Sequence, residues 1–224
     1  ISAAGAPERQ ALAMSAFDRE LVDEQARIVK LLAPPFDKTT RDPGYIKGYL
    51  PGVRENGAQY THAALWSVLA YALRGNGDRA FDLYQMLNPL THARTPEEVA
   101  VYKVEPYVVA ADVYAAAGQR GRGGWTWYTG SASWMYRVGL EAILGFDKRG
   151  DTLHITPAVP TTWPTFTIEY RHGKSLYVIE VSPSTTGHAR VWLDGDELAG
   201  GGIPLNDERA RRQVVVHFVP KVEP

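Results

Sequence analysis

WTWYTGSASWMYRVGLEAILG, residues 125–145, is the stretch on which the reading of the chain turns. Trp125, Trp127 and Tyr128 crowd a Thr129-Gly130-Ser131 turn. Trp134, Met135, Val138, Leu140 and Leu144 then recur close to helical spacing, which predicts a mostly buried helix beginning near Ser131. The turn is then the helix N-terminus, where backbone N–H groups without intrahelical partners and the positive end of the macrodipole favour an anion. Thr129 adds a hydroxyl donor, and Gly130 lets a ligand approach the backbone closely. The neighbouring rings offer faces on which a sugar stacks. The structural alternative is an ordinary helix cap with the aromatics in the core, and this stretch alone leaves both open.

Just past residue 147 the pattern changes. TLHIT (152–156), TFTIEYR (165–171), SLYVIEV (175–181), ARVWL (189–193) and QVVVHFV (213–219) are short, rich in β-branched and aromatic residues, and alternate in polarity. His172-Gly173 and Asp194-Gly195 sit between such runs as hairpin turns. The expectation is a helical segment over residues 1–147 and an antiparallel β domain over 148–224, since segregated helices and strands form separate layers or domains.

Upstream, residues 7–32 read as one amphipathic helix or two, with Pro7 suited to the first turn and Pro34-Pro35 as a stop. Residues 33–55, rich in Pro and Gly, read as a long loop of the kind that often carries function. Ala58–Leu73 reads as a helix apolar on nearly every side. A shorter helix capped by Asp78 runs to Leu87, and residues 96–117 supply a further helical pair closed by Gly118. QRGRGG (119–124) reads as a flexible link.

Bulk properties exclude several classes. At 224 residues, 45% hydrophobic and 22% charged, the chain is long enough to bury a core and typical of a globular protein. A net charge of -1 without basic runs gives no nucleic-acid or anionic-membrane footprint. The absence of cysteine removes disulfides, thiolate metal sites and a cysteine nucleophile, and is compatible with the cytosol. No apolar run approaches membrane-spanning length. The chain opens at Ile1 without an initiator Met, which predicts a piece of a longer polypeptide.

Several polar residues sit in apolar surroundings. His62 lies within QYTHAALW, either as a hydrogen-bonded core residue or as a contact for phosphate or a sugar hydroxyl. Arg54-Glu55-Asn56 precede the same helix. Lys103 and Glu105 lie within VYKVEPYV, where a mutual ion pair or a sugar contact through Glu105 would account for them, and Asp112 stands in VVAADVYAAA. The remaining histidines read as structural. No metal-ligand spacing, P-loop, dinucleotide fingerprint or Ser-His-Asp order is present.

PGVRENGAQYTHAALW, VYKVEPYVVAADVY and GGWTWYTGSASWMYRVGLEAILG, followed by LHITPAVPTTWPTFTIEYRHGKSLYVIEV, together resemble the inverting β-glycoside phosphorylases of glycoside hydrolase family 94. The likeness is closest to the C-terminal phosphorylase-like region of bacterial cyclic β-1,2-glucan synthases. The family's fold is an (α/α)6 helical barrel followed by a small antiparallel β-sandwich; the helices read in this chain number about six or seven, too few for the whole barrel, so the resemblance implies its last part and the sandwich. It also implies phosphate binding by His62, Thr129 and Gly130, and substrate contact by Arg54, Glu55 and Glu105. Members often have Lys where Arg54 stands, and Arg54 has a different reach.

The family's general acid is an Asp upstream of the His motif, so the resemblance assigns no catalytic residue to this chain. It implies inorganic phosphate as co-substrate, no metal and no other cofactor. The implied partners are a β-glucan oligosaccharide and the rest of the parent polypeptide, not nucleic acid. An incomplete barrel exposes apolar faces that favour self-association. The implied location is cytoplasmic, at the cytosolic face of the inner membrane if the parent is a cyclic glucan synthase. A hydrolase on the same scaffold, a non-catalytic carbohydrate-binding module and a purely structural scaffold are the rival readings.

Overall fold

The computed structural model describes residues 1–2, 4–127 and 129–220, without the side chain of Thr129. Its backbone contacts group the chain into two compact units: Ile1–Val68 with Asp82–Tyr136, and Leu69–Phe81 with the chain from Arg137 onward.

Helix α1 (Pro7–Leu21) starts on its N-terminal proline and stops earlier than expected. Val22 and the Ile28-Val29 pair favour extended backbone, so β1 (Val22–Asp23) and β2 (Ile28–Val29) form a hairpin instead of a second helical stretch. β3 (Gln59–Tyr60) leads directly into α2 (Thr61–Arg74), and α3 (Gly77–Leu87) follows. The cap of α3 is Asn76, whose Oδ1 accepts the Arg79 N–H at 3.0 Å. Asp78, expected in that role, instead accepts the Thr161 N–H at 2.9 Å and its hydroxyl at 3.0 Å.

Helix α4 (Pro96–Tyr102) opens with a capping box in which Thr95 and Glu98 satisfy each other's backbone N–H groups. It ends on Lys103 in the left-handed conformation (φ 58°), exposed and not inside an apolar pocket. The second helix expected within residues 96–117 is not formed. Pro106 lacks a donor, and the backbone groups beyond it bond sideways: Thr61 N–H donates to Ala111 O at 2.9 Å, and Tyr114 N–H to Arg122 O at 2.8 Å. Here the chain forms β4 (Asp112–Val113), antiparallel to β3. Gly118 therefore closes a turn and caps no helix.

The QRGRGG segment is equally far from a free linker. Gly123 bridges Val113, and its N–H donates to Tyr102 O at 2.9 Å. A Cβ on Gly123 would lie 2.3 Å from Val104 Cγ2. Ile28, Tyr102, Ala110 and Val113 form the buried cluster beneath these segments.

Helix α5 (Thr129–Arg137) starts at the predicted turn and continues as a π-helical segment, Val138–Ile143. The described residues thus hold five α-helices, fewer than the six or seven expected.

The β region begins with β5 (Phe146–Arg149), β6 (Thr152–Ile155), β7 (Phe166–His172) and β8 (Ser175–Pro183), then β9 (Arg190–Leu193), β10 (Asp196–Glu197), β11 (Ile203–Pro204) and β12 (Arg211–Phe218). The order β11-β6-β5 makes one sheet and β10-β9-β12-β8-β7 the other. Both hairpins form where expected. At Asp194-Gly195 both residues take positive φ (51° and 97°), the geometry that an Asp-Gly turn supplies at low cost.

One pairing corrects the antiparallel expectation: β12 lies parallel to β8, with Val214 opposite Ile179. A parallel neighbour requires a long crossover, and residues 184–210 provide it, carrying β9, β10 and β11 on the way. The sheets meet through Tyr177, fully buried, whose hydroxyl donates to Pro204 O at 3.1 Å and accepts the Asn206 N–H at 2.8 Å. They also meet through Phe146 edge-on to Tyr170 at 5.0 Å.

Gly145 joins the π-helical segment to β5 with φ 70°, and a Cβ there would lie 2.1 Å from the Thr156 carbonyl carbon. Gly145→Ala therefore combines positive-φ strain with a backbone clash and should destabilise the second unit by roughly 2–4 kcal/mol. Denaturant unfolding followed by tryptophan fluorescence measures this, and an unshifted midpoint would refute it.

Candidate functional site

The loop before α2 is fixed by one side chain. Asn56 is fully buried; its Oδ1 accepts the Phe36 N–H at 2.7 Å, and its amide donates to Phe36 O at 3.1 Å and Tyr49 O at 2.9 Å. Gly57 (φ 90°) passes so close to Pro35 that a Cβ would lie 3.0 Å from the ring. This anchorage sets Arg54 and Glu55 at the head of the helix, with Arg54 itself at φ 49°. Both side chains are mostly shielded, and Arg54 Nε stands 3.6 Å from Glu55 Oε2. The Arg54 guanidinium carbon lies 4.5 Å from the centroid of Trp125 and 5.5 Å from that of Tyr49, within cation–π range of both.

Behind this pair sits Asp112, fully buried on β4. Its Oδ1 accepts the Trp125 N–H at 3.0 Å, and its backbone oxygen accepts the Gly124 N–H at 2.8 Å. Oδ2 is buried and has no hydrogen-bond partner among the described residues. Burial pushes the Asp112 carboxyl above its ordinary range. The Trp125 N–H, the Arg54 charge and the nearby Arg54 backbone N–H oppose that rise, while the Glu55 charge adds to it.

The aromatic residues of residues 125–127 face outward: Trp125 is 54% exposed and Trp127 69%, so these rings do not belong to the core. Trp127 Nε1 donates to Glu105 Oε1 at 3.2 Å, and Tyr107 meets the Trp127 ring edge-on at 6.5 Å. A hydrogen bond to its own backbone and the Trp127 indole donor hold Glu105 below the usual carboxylate range, so it is an ionised acceptor beside exposed rings.

His62, on the first turn of α2, is half-buried between two indoles. Its ring stacks on Trp134 (5.7 Å, 29°) and meets Trp66 edge-on (5.2 Å). Its Nε2 is shielded and has no hydrogen-bond partner among the described residues. Its Nδ1 looks toward the start of α5: a Cβ on Gly130 would lie 3.8 Å from it. The imidazole and the Gly130 backbone are therefore neighbours. Tyr128 and the Thr129 hydroxyl lie outside the described residues.

The sequence reading missed the framing of His62. Trp66 stands four residues on, hence on the same helical face, and that spacing was the available signal. Asp112 was noticed for its apolar context, but its partners come from residues 54 and 124–125 and leave no local trace. In the second unit a cavity of about 810 Å³ is lined by residues including Ile155, Val159, Val191, Leu198 and Phe218; no sequence-predicted site residue lines it.

An imidazole beside a helix N-terminus, an arginine–glutamate pair under an exposed indole and an ionised carboxylate among aromatic rings are features suited to a saccharide and an oxyanion. The model of the glycosyl hydrolase 94 superfamily catalytic domain matches residues 1–145, and the chain belongs to that family. Among its relatives is the cyclic beta-(1,2)-glucan synthase NdvB of Rhizobium meliloti (strain 1021), 53% identical over 182 residues, covering 81% of this chain and 6% of that protein. The solabiose phosphorylase of Paenibacillus borealis is 28% identical over 88% of the chain and 26% of its own length. The N,N'-diacetylchitobiose phosphorylase of Vibrio proteolyticus is 30% identical over 96% of the chain and 27% of its own length. The chain thus spans about a quarter of these phosphorylases and a much smaller part of the synthase.

Asn56→Ala removes three buried hydrogen bonds and leaves Phe36 and Tyr49 backbone groups unpaired. It should cost roughly 2–4 kcal/mol and free the loop that carries Arg54 and Glu55. Denaturant melting and amide exchange at Phe36 are the measurements; protection at Phe36 equal to the wild type would contradict it.

Proposed function

We propose that this chain supplies the phosphate pocket and part of the sugar wall of an inverting phosphorylase domain acting on β-glucan, with β-1,2 linkages as the substrate class. The observation that carries the reading is the neighbouring placement of His62 Nδ1 and the Gly130 backbone at the start of α5. The name of the most identical of the relatives above supports the linkage.

In this mechanism a phosphate oxygen attacks the anomeric carbon while the glycosidic C–O bond breaks, and the leaving oxygen takes a proton from a general acid. The products are a glucose 1-phosphate of inverted configuration and a glucan shorter by one residue. Inverting hydrolases need a carboxylate to activate water. Phosphate is already an anionic nucleophile and needs only to be held in line. His62, Thr129 and Gly130 hold it, with the first N–H groups of α5 facing its charge. Arg54, Glu55 and Glu105 bind sugar hydroxyls, and Trp125 and Trp127 lie against sugar faces.

The general acid and the remaining phosphate ligands come from polypeptide upstream of this chain. In domain terms, residues 1–147 form part of an (α/α)6 barrel and residues 148–224, which follow in the chain, a β-sandwich. The apolar faces left by an incomplete barrel lead the isolated chain to self-associate. We place the parent protein in the cytoplasm, at the inner face of the membrane if it is a glucan synthase. Among the described residues no helix is long and apolar enough to cross a membrane.

A second reading is favoured by the exposure of Trp125 and Trp127 beside Glu105: saccharide binding without chemistry, as in an accessory module. Glucan affinity that phosphate leaves unchanged would select it. Hydrolysis on the same scaffold would appear as glucose release without any phosphate requirement.

In the intact protein, His62→Ala should raise the KM for phosphate roughly 10- to 100-fold, the loss of a hydrogen bond to a charged group, with melting behaviour preserved. Initial-rate kinetics over a range of phosphate concentrations test it, and an unchanged phosphate KM removes His62 from the site. The chain of residues 1–224 alone should show no turnover. Release of glucose 1-phosphate from β-1,2-glucan by the purified chain would refute the assignment of the general acid to upstream polypeptide.

A further inference from the structure

We infer that Asp112 is a positioning residue for sugar binding, holding Trp125 and Arg54 in the mutual geometry that forms the sugar wall. The inference rests on the reading above, in which Arg54 and Trp125 contact the glucan.

The carboxylate occupies a place built for it. Oδ1 holds the Trp125 N–H, fixing the backbone from which the exposed indole projects. The backbone groups of the adjacent Ala111 are spent on the same junction: its N–H donates to Trp125 O at 2.6 Å, and its O accepts the Thr61 N–H at 2.9 Å. Gly124 has no side chain where one would collide, since a Cβ would lie 2.5 Å from Oδ1. Oδ2 is buried, and both the backbone N–H and the charge of Arg54 favour the ionised carboxylate, against the charge of Glu55. Arg54 in turn lies over the Trp125 ring. One buried carboxylate therefore faces both partners of the cation–π pair: it bonds the backbone of Trp125 and balances the charge of Arg54. An uncharged carboxamide keeps the first function and loses the second.

The test is steady-state phosphorolysis by the intact protein, with a β-1,2-linked gluco-oligosaccharide and inorganic phosphate varied separately. Asp112→Asn should raise the sugar KM about tenfold, since loss of the charge frees the Arg54 plane, while the phosphate KM stays within about twofold. Gly124→Ala, which drives the carboxylate off its place without altering its charge, should shift the sugar KM in the same direction. A folded Asp112→Asn protein with unchanged sugar KM overturns the inference. So does an equal rise in both KM values, the mark of general disorder. If Asp112→Asn does not fold, Gly124→Ala decides on the same criteria; if neither variant folds, the carboxylate is a folding element and the inference is overturned. A wild-type protein that neither binds nor cleaves the oligosaccharide overturns the functional reading, and the inference falls with it. Normal wild-type kinetics with unaffected variants overturn the inference alone.

Discussion

Three stretches of backbone lie side by side at the centre of the first unit: residues 59–61, 111–114 and 122–125, joined by hydrogen bonds of 2.6–2.9 Å. Everything proposed for the site depends on this junction. The first stretch runs into α2 and presents His62, the second carries the buried Asp112, and the third leads into the exposed indoles and the start of α5. Because backbone bonds run from Thr61 to Ala111, from Ala111 to Trp125, from Gly124 to Asp112 and from Tyr114 to Arg122, the separate functional groups are fixed relative to one another by main-chain bonds. Flexible side chains alone would not hold them. Gly123 and Gly124 belong to this junction for steric reasons, since side chains there would strike Val104 and Asp112.

Where periodicity and local chemistry specify an element, the sequence was readable. α2 and α5 appear within a few residues of expectation, and both hairpins turn at the predicted glycines. It failed where the deciding partner is distant. VVAADVYAAA has apolar residues at helical and extended spacings alike, and its bonds to distant backbone, among them residues 52, 61, 122, 124 and 125, decide against the helix. The parallel placement of β12 beside β8 is invisible for the same reason, because a strand's own residues do not say which edge it joins.

The candidate site divides along the same line. That a glycine-containing turn opens a helix is local information. That an imidazole 68 positions earlier stands beside Gly130 came from family likeness, and the geometry gives that likeness a physical counterpart. Asp112 was legible as a buried charge in need of a partner, but its partners were not. Glu105 was placed in the chain correctly beside apolar residues, yet its acceptor character depends on Trp127, 22 positions away.

The geometry also bears on why an arginine suits position 54. A lysine would bring a point charge on a flexible stem. The Arg54 guanidinium carbon lies over the ring of Trp125 and its Nε stands near Glu55, while its charge lowers the cost of an ionised Asp112. An indole backed in this way is already restrained, which in the proposed function lowers the cost of ordering it against a sugar. With Glu55 near its Nε and the Asp112 charge acting on it, a guanidinium with several donors in a fixed plane suits the position better than a single ammonium. Arg54 and the buried aspartate are then parts of one arrangement, with the exposed indole beside them.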